Sequence, residues 1–352
     1  MNDNSIPLVV QYLYVHGQDE GFYYPTARAA SSAAAVAARY LECALVQSAS
    51  LRFREVNCEL MLATNISDRS ALGRAGEELL ERIESLGVKV LPCEYRHRPG
   101  DDSETYVSSR YVLDAILTAT QGQPADRRLW FTDLDCVWPD AERVFAATPP
   151  EDEVGCVYIP YPADWDVVGF GDVEGRTRTT IGELAAARGR TNTDLPGWVG
   201  GELLSGTPAA LQGLVDVCEK LDAQLAEEGR VLPTEEQILS LAGALGLVRF
   251  CDLSHVAWRI LTGPRHEAPK PENPLAFGLW HLPSEKGLSL RRTARQIRTG
   301  RTARLRRDLG QPERTARRFN VAGNGLGRRL RDDGWIATQR IQSKLRSTLD
   351  RS

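Results

Sequence analysis

Short apolar runs alternate with amphipathic segments over the first 138 residues. The apolar runs predict four strands, and the amphipathic segments between them predict helices. Strands that alternate with helices build βαβ units, so we expect an α/β fold with a mixed, mainly parallel Rossmann-type sheet flanked by helices. The predicted strands are 7–15, 57–64, 88–91 and a buried strand that ends in acid within 129–138, and the predicted helices are 25–46, 67–86 and 105–119.

The pattern continues in the second half, with one long interruption. A polar segment that lacks periodicity, 160–196, could be an acceptor-side loop or an uninformative insertion, with one short helix at 181–188. Further strands are predicted at 154–159 and 247–251, an apolar glycine-rich strand at 197–206, and helices at 207–226 and 234–245.

An acid pair follows the apolar run Leu129, Trp130 and Phe131. Asp133 and Asp135 are two residues apart, and alternate side chains of an extended chain share a face. Adjacent carboxylates repel each other, which a bound Mg²⁺ or Mn²⁺ would relieve, leaving open positions for a diphosphate. A solvated turn after a strand is the alternative.

Polar residues also follow the first two predicted strands. His16 opens a loop after the first strand, and Asn65 ends the second. Because ligands of open α/β sheets bind at the carboxyl ends of strands, both are candidate nucleotide contacts. A surface loop without a function is the alternative for residues 16–21.

Glycines interrupt the apolar strand at 197–206. Gly200 and Gly201 weaken a strand, which usually means that another group approaches the backbone closely. Either a ligand or a packed helix would meet that condition.

Two acids begin the helix at 234–245. Thr234 and Gln237 form a capping box, and Glu235 and Glu236 lie in the first turn, where the helix dipole favours negative charge. That structural role accounts for both acids. They remain candidates for acceptor binding or for a general base.

A histidine and a lysine occur late in the body of the chain. His281 follows the apolar pair Leu279 and Trp280, and Lys286 lies in the loop behind it. A single histidine is more often structural, but imidazole can bind manganese and an ammonium can bind phosphate.

Composition narrows the class of protein. The chain has 352 residues and no apolar run near the ~20 residues of a membrane-spanning helix. No secretory signal is evident, and seven scattered cysteines without a CxxC pattern indicate reduced thiols and a cytoplasmic protein. Neither G-x-G-x-x-G nor a P-loop motif is present.

Charge is distributed unevenly. Residues 287–352 hold 18 Lys and Arg against 5 Asp and Glu, whereas residues 1–286 hold 25 against 42. A basic segment of this kind can bind an anionic surface, including the inner face of a membrane. The alternative is a pair of solvated helices docked on the acidic body. Its only large aromatics are Phe319 and Trp335, so we expect no nucleic-acid partner.

The order of these motifs resembles the GT-A-type nucleotide-sugar glycosyltransferases over roughly residues 7–287. In that family a DxD strand ends the nucleotide-binding half, a glycine-rich segment lines the donor sugar, an acidic helix start faces the acceptor, and a late His closes over the diphosphate. The resemblance implies a catalytic domain at 1–287, with a nucleotide-binding half at 1–138 and an acceptor half at 139–287. Residues 288–352 would form an Arg-rich helical extension.

The resemblance also implies site roles and a reaction. Asp135 would ligate Mn²⁺ or Mg²⁺, Asp133 would bind the ribose or the metal, and His281 would complete the metal shell. Lys286 would hold the β-phosphate, and Arg110 would be a basic nucleotide contact. The donor would be a nucleoside diphosphate sugar, with UDP as the expected nucleotide, and the acceptor is unidentified. The spacing of His281 and Lys286 departs from the His-x-x-Gly-x-x-Lys-Pro-Trp form, so no branch is assigned.

Two alternatives remain open. The segment 131–138 also resembles the first motif of haloacid-dehalogenase-type magnesium phosphatases, with Asp133 as the nucleophile. That class needs a later paired-acid segment after a strand, and Asp332-Asp333 lies in a polar stretch. The second alternative is a protein without catalytic activity that binds anions through its basic tail.

Overall fold

The computed structural model describes residues 6–17, 33–99, 108–159, 178–190, 197–260, 262 and 271–321.

The centre of the described part of the chain is a seven-stranded sheet. Its strands are β1 (Leu8–Leu13), β2 (Glu59–Thr64), β3 (Val88–Pro92), β4 (Leu129–Thr132), β6 (Val154–Ile159), β7 (Trp198–Gly206) and β8 (Phe250–Asp252). They lie in the order β3-β2-β1-β4-β7-β6-β8. β1 pairs in parallel with β2 and β4, while β7 runs antiparallel to both β4 and β6. The predicted α/β fold with a mixed, mainly parallel sheet is therefore confirmed.

A second, three-stranded sheet lies beside the end of β4. Its strands are β5 (Cys136–Val137), β9 (Ala257–Arg259) and β10 (Leu279–His281), in the order β5-β10-β9. β10 runs antiparallel to β5, and His281 stands opposite Cys136. The sequence pattern predicts no separate strand for β5, β9 or β10, because strands of two or three residues are too short for a period to be seen.

Helices cover both faces of the large sheet, and each face has its own apolar core. α1 extends to Arg52, six residues beyond the predicted end at Val46, and the added turns are buried. The helices of the body are α1 (Ala33–Arg52), α2 (Gly73–Glu84), α3 (Tyr111–Thr120), α4 (Ala141–Ala146), α5 (Arg178–Ala187), α6 (Pro208–Glu227) and α7 (Glu235–Ala244).

Buried polar side chains join α1 to the central strands. Gln47 donates to Thr132 Oγ1 on β4 at 2.6 Å, and Gln11 on β1 donates to Ser48 Oγ at 3.1 Å. All four side chains are nearly inaccessible to solvent. Because a buried polar group is costly without a partner, these bonds fix the position of α1 beneath β4.

The described part of the Arg-rich extension is helical and packs on the body. It contains α8 (Arg291–Arg298), α9 (Thr302–Leu309) and α10 (Pro312–Arg318). Arg298 pairs with Glu78 of α2 at 2.8 Å, and Arg291 lies 3.7 Å from Glu42 of α1. Phe319, Leu305 and Leu309 are buried in the same core as α1. A docked helical arrangement therefore accounts for residues 291–318, whereas the arginines beyond Val321 lie outside the described residues.

No helix in the part of the chain that the structure describes is both long and apolar enough to span a membrane.

Candidate functional site

Asp133, Asp135 and His281 form one cluster at the carboxyl end of β4. His281 Nε2 lies 3.3 Å from Asp133 Oδ2 and 3.2 Å from Asp135 Oδ2. Asp135 and His281 are buried, whereas the Asp133 side chain is 29% exposed, so the cluster opens to solvent on the Asp133 side. The aspartates and the histidine that are candidate metal ligands in the sequence are therefore adjacent in the structure.

Backbone pairing brings these residues together. β4 ends at Thr132, the chain turns through Asp133 to Asp135, and the amide of Asp133 donates to the Glu202 carbonyl of β7. The amide of Leu282 donates to the Asp135 carbonyl at 2.9 Å. Since this bond continues the pairing of β10 with β5, His281 is held beside the acid pair.

The cluster fits a small divalent cation. Adjacent ligands of an octahedral Mg²⁺ ion, each about 2.1 Å from the metal, are about 3 Å apart. The distances of 3.2 and 3.3 Å from His281 Nε2 to the two carboxylates are close to that separation. The potential ligand atoms of the three residues all lie within 4.8 Å of one another. Carboxylates are ligands that suit Mn²⁺ and Mg²⁺, and an imidazole is a common further metal ligand.

Electrostatic shifts in the cluster follow from burial and close charges. Burial raises the pKa of Asp133. Burial also opposes ionisation of Asp135, but Lys286 and His281 outweigh it and hold the pKa of Asp135 well below its usual range. Burial favours neutral imidazole at His281, yet the neighbouring Asp135 raises the pKa of that histidine.

Lys286 contacts the same oxygen of Asp135 as His281 does. Its Nζ is 3.3 Å from Asp135 Oδ2 and 4.9 Å from the ring centroid of Tyr40. Burial opposes the charged form, but Asp135 outweighs it and raises the pKa of Lys286. The lysine starts a π-helical turn, Lys286–Leu290, that is held by the buried Glu285. The cluster therefore contains a fixed ammonium group that stays charged.

Tyr12 of β1 holds the other oxygen of Asp133. Its hydroxyl donates to Asp133 Oδ1 at 2.6 Å and lies 3.2 Å from the Gly201 carbonyl. Burial, followed by the charge of Asp133, raises the pKa of Tyr12, so the hydroxyl keeps its proton. Asp133 Oδ2 is thereby turned towards His281. The sequence pattern does not single out Tyr12, which looks like one more aromatic residue of an apolar strand.

Acidic side chains pack directly on Gly200 and Gly201. A Cβ atom at Gly201 would lie 2.3 Å from Glu235 Oε1, and one at Gly200 would lie 2.1 Å from Glu202 Oε2. The close approach that the glycines predict is thus made by carboxylates of the protein itself, one of them from the start of α7.

Glu235 and Glu236 have opposite electrostatic environments at the start of α7. The capping box of Thr234 and Gln237 is present as expected. Burial, with the charges of Glu236 and Asp133, raises the pKa of Glu235 to about 8. Burial also opposes ionisation of Glu236, but Arg259 outweighs it and lowers the pKa of that carboxyl. Near neutral pH the pair therefore combines a largely protonated acid with a carboxylate.

A buried ionic network connects this acid pair to the cluster. Arg259 of β9 pairs with Glu202 Oε2 at 2.7 Å and also with Glu236. Trp198 Nε1 donates to the other oxygen of Glu236 at 2.9 Å. No sequence motif assigns a role to Glu202 or Arg259. Glu202 could have been singled out as an acid within an apolar strand, because a carboxylate buried there needs a partner.

Three residues that are predicted to contact the nucleotide interact with other residues of the protein. His16 is buried, with its ring centroid 5.0 Å from that of Tyr14, at the carboxyl end of β1. The Asn65 side chain bonds the amide and the carbonyl of Val15 at 2.7 and 2.9 Å. Arg110 is buried and bonds Asp222 and the carbonyl of Leu232. Asn65 thus fixes the loop after β1, and Arg110 connects α3 to α6 and to the segment before α7.

Comparison with known proteins gives structural likenesses but no sequence relative. No family model matches the chain, and the search of curated proteins found no significant relative. Among solved structures, the galactosyltransferase LgtC in complex with donor and acceptor sugar analogs is similar at 14% identity, covering 78% of this chain and 86% of that chain, with a TM-score of 0.41.

Proposed function

We propose that this chain is a metal-dependent glycosyltransferase that moves a sugar from a nucleoside diphosphate sugar, with UDP as the expected nucleotide, to an acceptor that is not yet identified. The observation that carries the proposal is the cluster of Asp133, Asp135 and His281, with Lys286 beside it, at the carboxyl end of a central strand. Ligands of open α/β sheets bind at that edge. The motif order that resembles GT-A-type enzymes supports the same reaction.

The leaving diphosphate needs positive charge. Mn²⁺ or Mg²⁺, held by Asp133, Asp135 and His281, would supply Lewis-acid stabilisation of that group. Lys286 adds a fixed ammonium 3.3 Å from Asp135, in position to bind a phosphate oxygen. The Tyr12 hydroxyl donates to Asp133 Oδ1, so that Asp133 Oδ2 remains directed towards His281. The protein would therefore bind the diphosphate without rearranging its charged groups.

Glu235 is the better candidate of the two acids for a general base. Both oxygens of Glu236 are engaged, one by Arg259 and the other by Trp198. The pKa of Glu235 is about 8, near the working pH at which a base is most effective. Glu235 would take the acceptor proton if the reaction inverts configuration, and retention would need no such base.

The remaining predicted contacts take supporting roles in this proposal. Gly200 and Gly201 provide room for Glu202 and Glu235 and so shape the floor of the site. His16 lies at the carboxyl end of β1, the sheet edge at which ligands of open α/β sheets bind, whereas Asn65 and Arg110 act through the backbone and side chains that they hold.

The phosphatase alternative is less well supported. Asp133 as a nucleophile would need an unencumbered oxygen, yet Tyr12 bonds one and His281 faces the other. The phosphatase class also needs a lysine later in the chain, and Lys286, 3.3 Å from Asp135, could serve as that lysine. The paired acids Asp332-Asp333 lie outside the described residues.

A second part of the proposal concerns the Arg-rich extension. We propose that its exposed arginines bring the enzyme to an anionic membrane surface. α9 presents Arg304 and Arg307 to solvent, while Leu305 and Leu309 of the same helix are buried. A helix with a charged outer face and a docked apolar face could contact lipid headgroups without leaving the body.

A nucleotide thermal-shift panel tests the proposed function. UDP or GDP with Mn²⁺ should raise the melting temperature, and neither component alone should do so to the same extent. Asp135→Ala should abolish the metal-dependent part. Asp216→Ala, an exposed acid on α6, should respond like the wild type. No response of the wild type to any nucleotide and metal combination would exclude the proposal, as would a full response of Asp135→Ala.

A further inference from the structure

Glu202 is a fully buried acid that no motif explains. It lies in the middle of β7 with 0% of its surface exposed. An ionised carboxylate in such a place is costly unless it is paired. Arg259 donates to both of its oxygens, from Nε at 3.2 Å and from Nη2 at 2.7 Å, in the two-pronged geometry that guanidinium and carboxylate prefer.

The other side of Glu202 faces the ring of His281. Glu202 Oε1 lies 3.9 Å from His281 Nδ1, which is too long for a hydrogen bond. Among the described residues, buried His281 Nδ1 has no hydrogen-bond partner. The imidazole thus lies between two acidic groups, with Nε2 towards Asp133 and Asp135 and Nδ1 towards Glu202.

Resting on the proposed function, we propose that Glu202 is a positioning residue that sets the orientation and tautomer of His281. A neutral imidazole can bind a metal through Nε2 only if its proton is on Nδ1. Metal-binding histidines commonly donate that second N–H to a carboxylate, which fixes the ring. Glu202 is the carboxylate that stands on the Nδ1 side, with its Oε1 atom 3.9 Å from Nδ1.

Two neighbours hold Glu202 ready for this role. Arg259 binds both of its oxygens and is itself anchored by Glu236, so the carboxylate cannot turn away easily. Gly200 provides the space, because a Cβ atom there would lie 2.1 Å from Glu202 Oε2 and 2.8 Å from Ile159 Cδ1. A glycine is therefore required beneath the carboxylate, independently of any donor sugar.

Manganese binding to the full chain tests the role directly. The affinity is measured from the electron paramagnetic resonance signal of free Mn²⁺, and the bound histidine is detected at saturation by its nitrogen modulation in pulsed spectra. Glu202→Gln should bind Mn²⁺ about 10-fold to 100-fold more weakly and should lose nitrogen modulation. Glu42→Gln is the matched control, because Glu42 is also buried and paired with an arginine, Arg39 at 3.2 Å. It should keep both the affinity and the modulation.

Gly200→Ala provides an independent variant. The added methyl group displaces the Glu202 carboxylate without removing it, so the same two signals should fall. This variant decides the question if Glu202→Gln does not fold, as judged by its melting temperature without metal.

The outcomes separate the two proposals. Wild-type affinity and nitrogen modulation in folded Glu202→Gln would overturn the positioning role while leaving the metal site intact. Weaker binding with unchanged nitrogen modulation would also overturn it, because His281 would then be oriented without Glu202. If wild-type protein binds no Mn²⁺, with or without UDP, the proposed function fails first.

Discussion

His281 Nε2 lies 3.2 Å from Asp135 Oδ2, although the two residues belong to distant parts of the sequence. The pairing of β10 with β5 creates this contact, since it places His281 opposite Cys136, the residue after Asp135. The pairing of these two short strands therefore adds an imidazole to the two carboxylates.

Removal of the imidazole should weaken metal binding but not folding. His281→Ala is expected to lose most of the stabilisation that UDP gives in the presence of Mn²⁺, because one of three potential ligands is gone. The measurement is the melting temperature with and without both ligands. His255→Ala, at an exposed position, serves as the control and should keep the full shift. Equal shifts in both variants would show that His281 does not contribute to metal-dependent binding.

Gly201→Ala should destabilise the fold by about 1–3 kcal/mol, as expected when a methyl group is forced into a packed site. The methyl group would meet Oε1, Cγ and Cδ of Glu235, so moving the tip of that side chain is not enough. Urea unfolding measures the change. Gly213→Ala, with open space around its Cβ position on α6, should instead be stabilising by about 0.5–1 kcal/mol.

The double variant Gly201→Ala with Glu235→Ala tests whether contact with Glu235 causes the loss of stability in Gly201→Ala. Truncation of Glu235 should recover part of the stability that Gly201→Ala loses. If it recovers none, the clash lies elsewhere.

Stability should fall with rising pH through the titration of Glu235. Its pKa is raised from 4.5 to about 8 in the folded protein, so between these values the folded state holds more protons than the unfolded state. Stability that is present at low pH is then lost as pH rises towards 8. Glu235→Gln should show a smaller loss between pH 5 and pH 8.5 in urea unfolding with EDTA present. An identical pH dependence in both proteins would mean that Glu235 titrates normally.

Thr132→Val should cost about 1–3 kcal/mol of unfolding free energy, because it leaves the buried amide of Gln47 without an acceptor. Thermal or urea unfolding measures this change. Thr148→Val, at an exposed threonine that bonds only the nearby Phe145 carbonyl, should change stability by less. A neutral effect of Thr132→Val would show that the bond does not help to fix α1 on β4.

Exposed arginines of α9 should control binding to anionic lipid. Replacing Arg301, Arg304 and Arg307 with Gln removes three exposed positive charges and leaves Leu305 and Leu309 in place. Since each basic residue near such a surface contributes about 1 kcal/mol, the loss of three should weaken binding to phosphatidylserine vesicles about 100-fold, as measured by sedimentation. Neutral vesicles are the control. Undiminished binding of the variant to the anionic vesicles would end the membrane proposal for this helix.

The alternation of apolar runs and helical segments was enough to predict the α/β sheet, because each long element has a period that reflects one buried face. The same reasoning placed Asp133 and Asp135 at a strand end and predicted the capping box of α7. Packing adds contacts that the pattern does not show. Gly200 and Gly201 accommodate carboxylates of the protein, and Arg110 bonds Asp222 on another helix.

The sequence by itself thus determined the local elements and the residue types of the site, since both depend on patterns within a few neighbouring residues. Only the tertiary structure decided which distant groups meet. β5 and β10 bring His281 to the aspartates, and β7 and β9 bring Glu202 to Arg259 beneath the imidazole. These contacts depend on how strands that are distant in the sequence pair with one another, and β5, β9 and β10 are too short to leave a periodic signal in the chain.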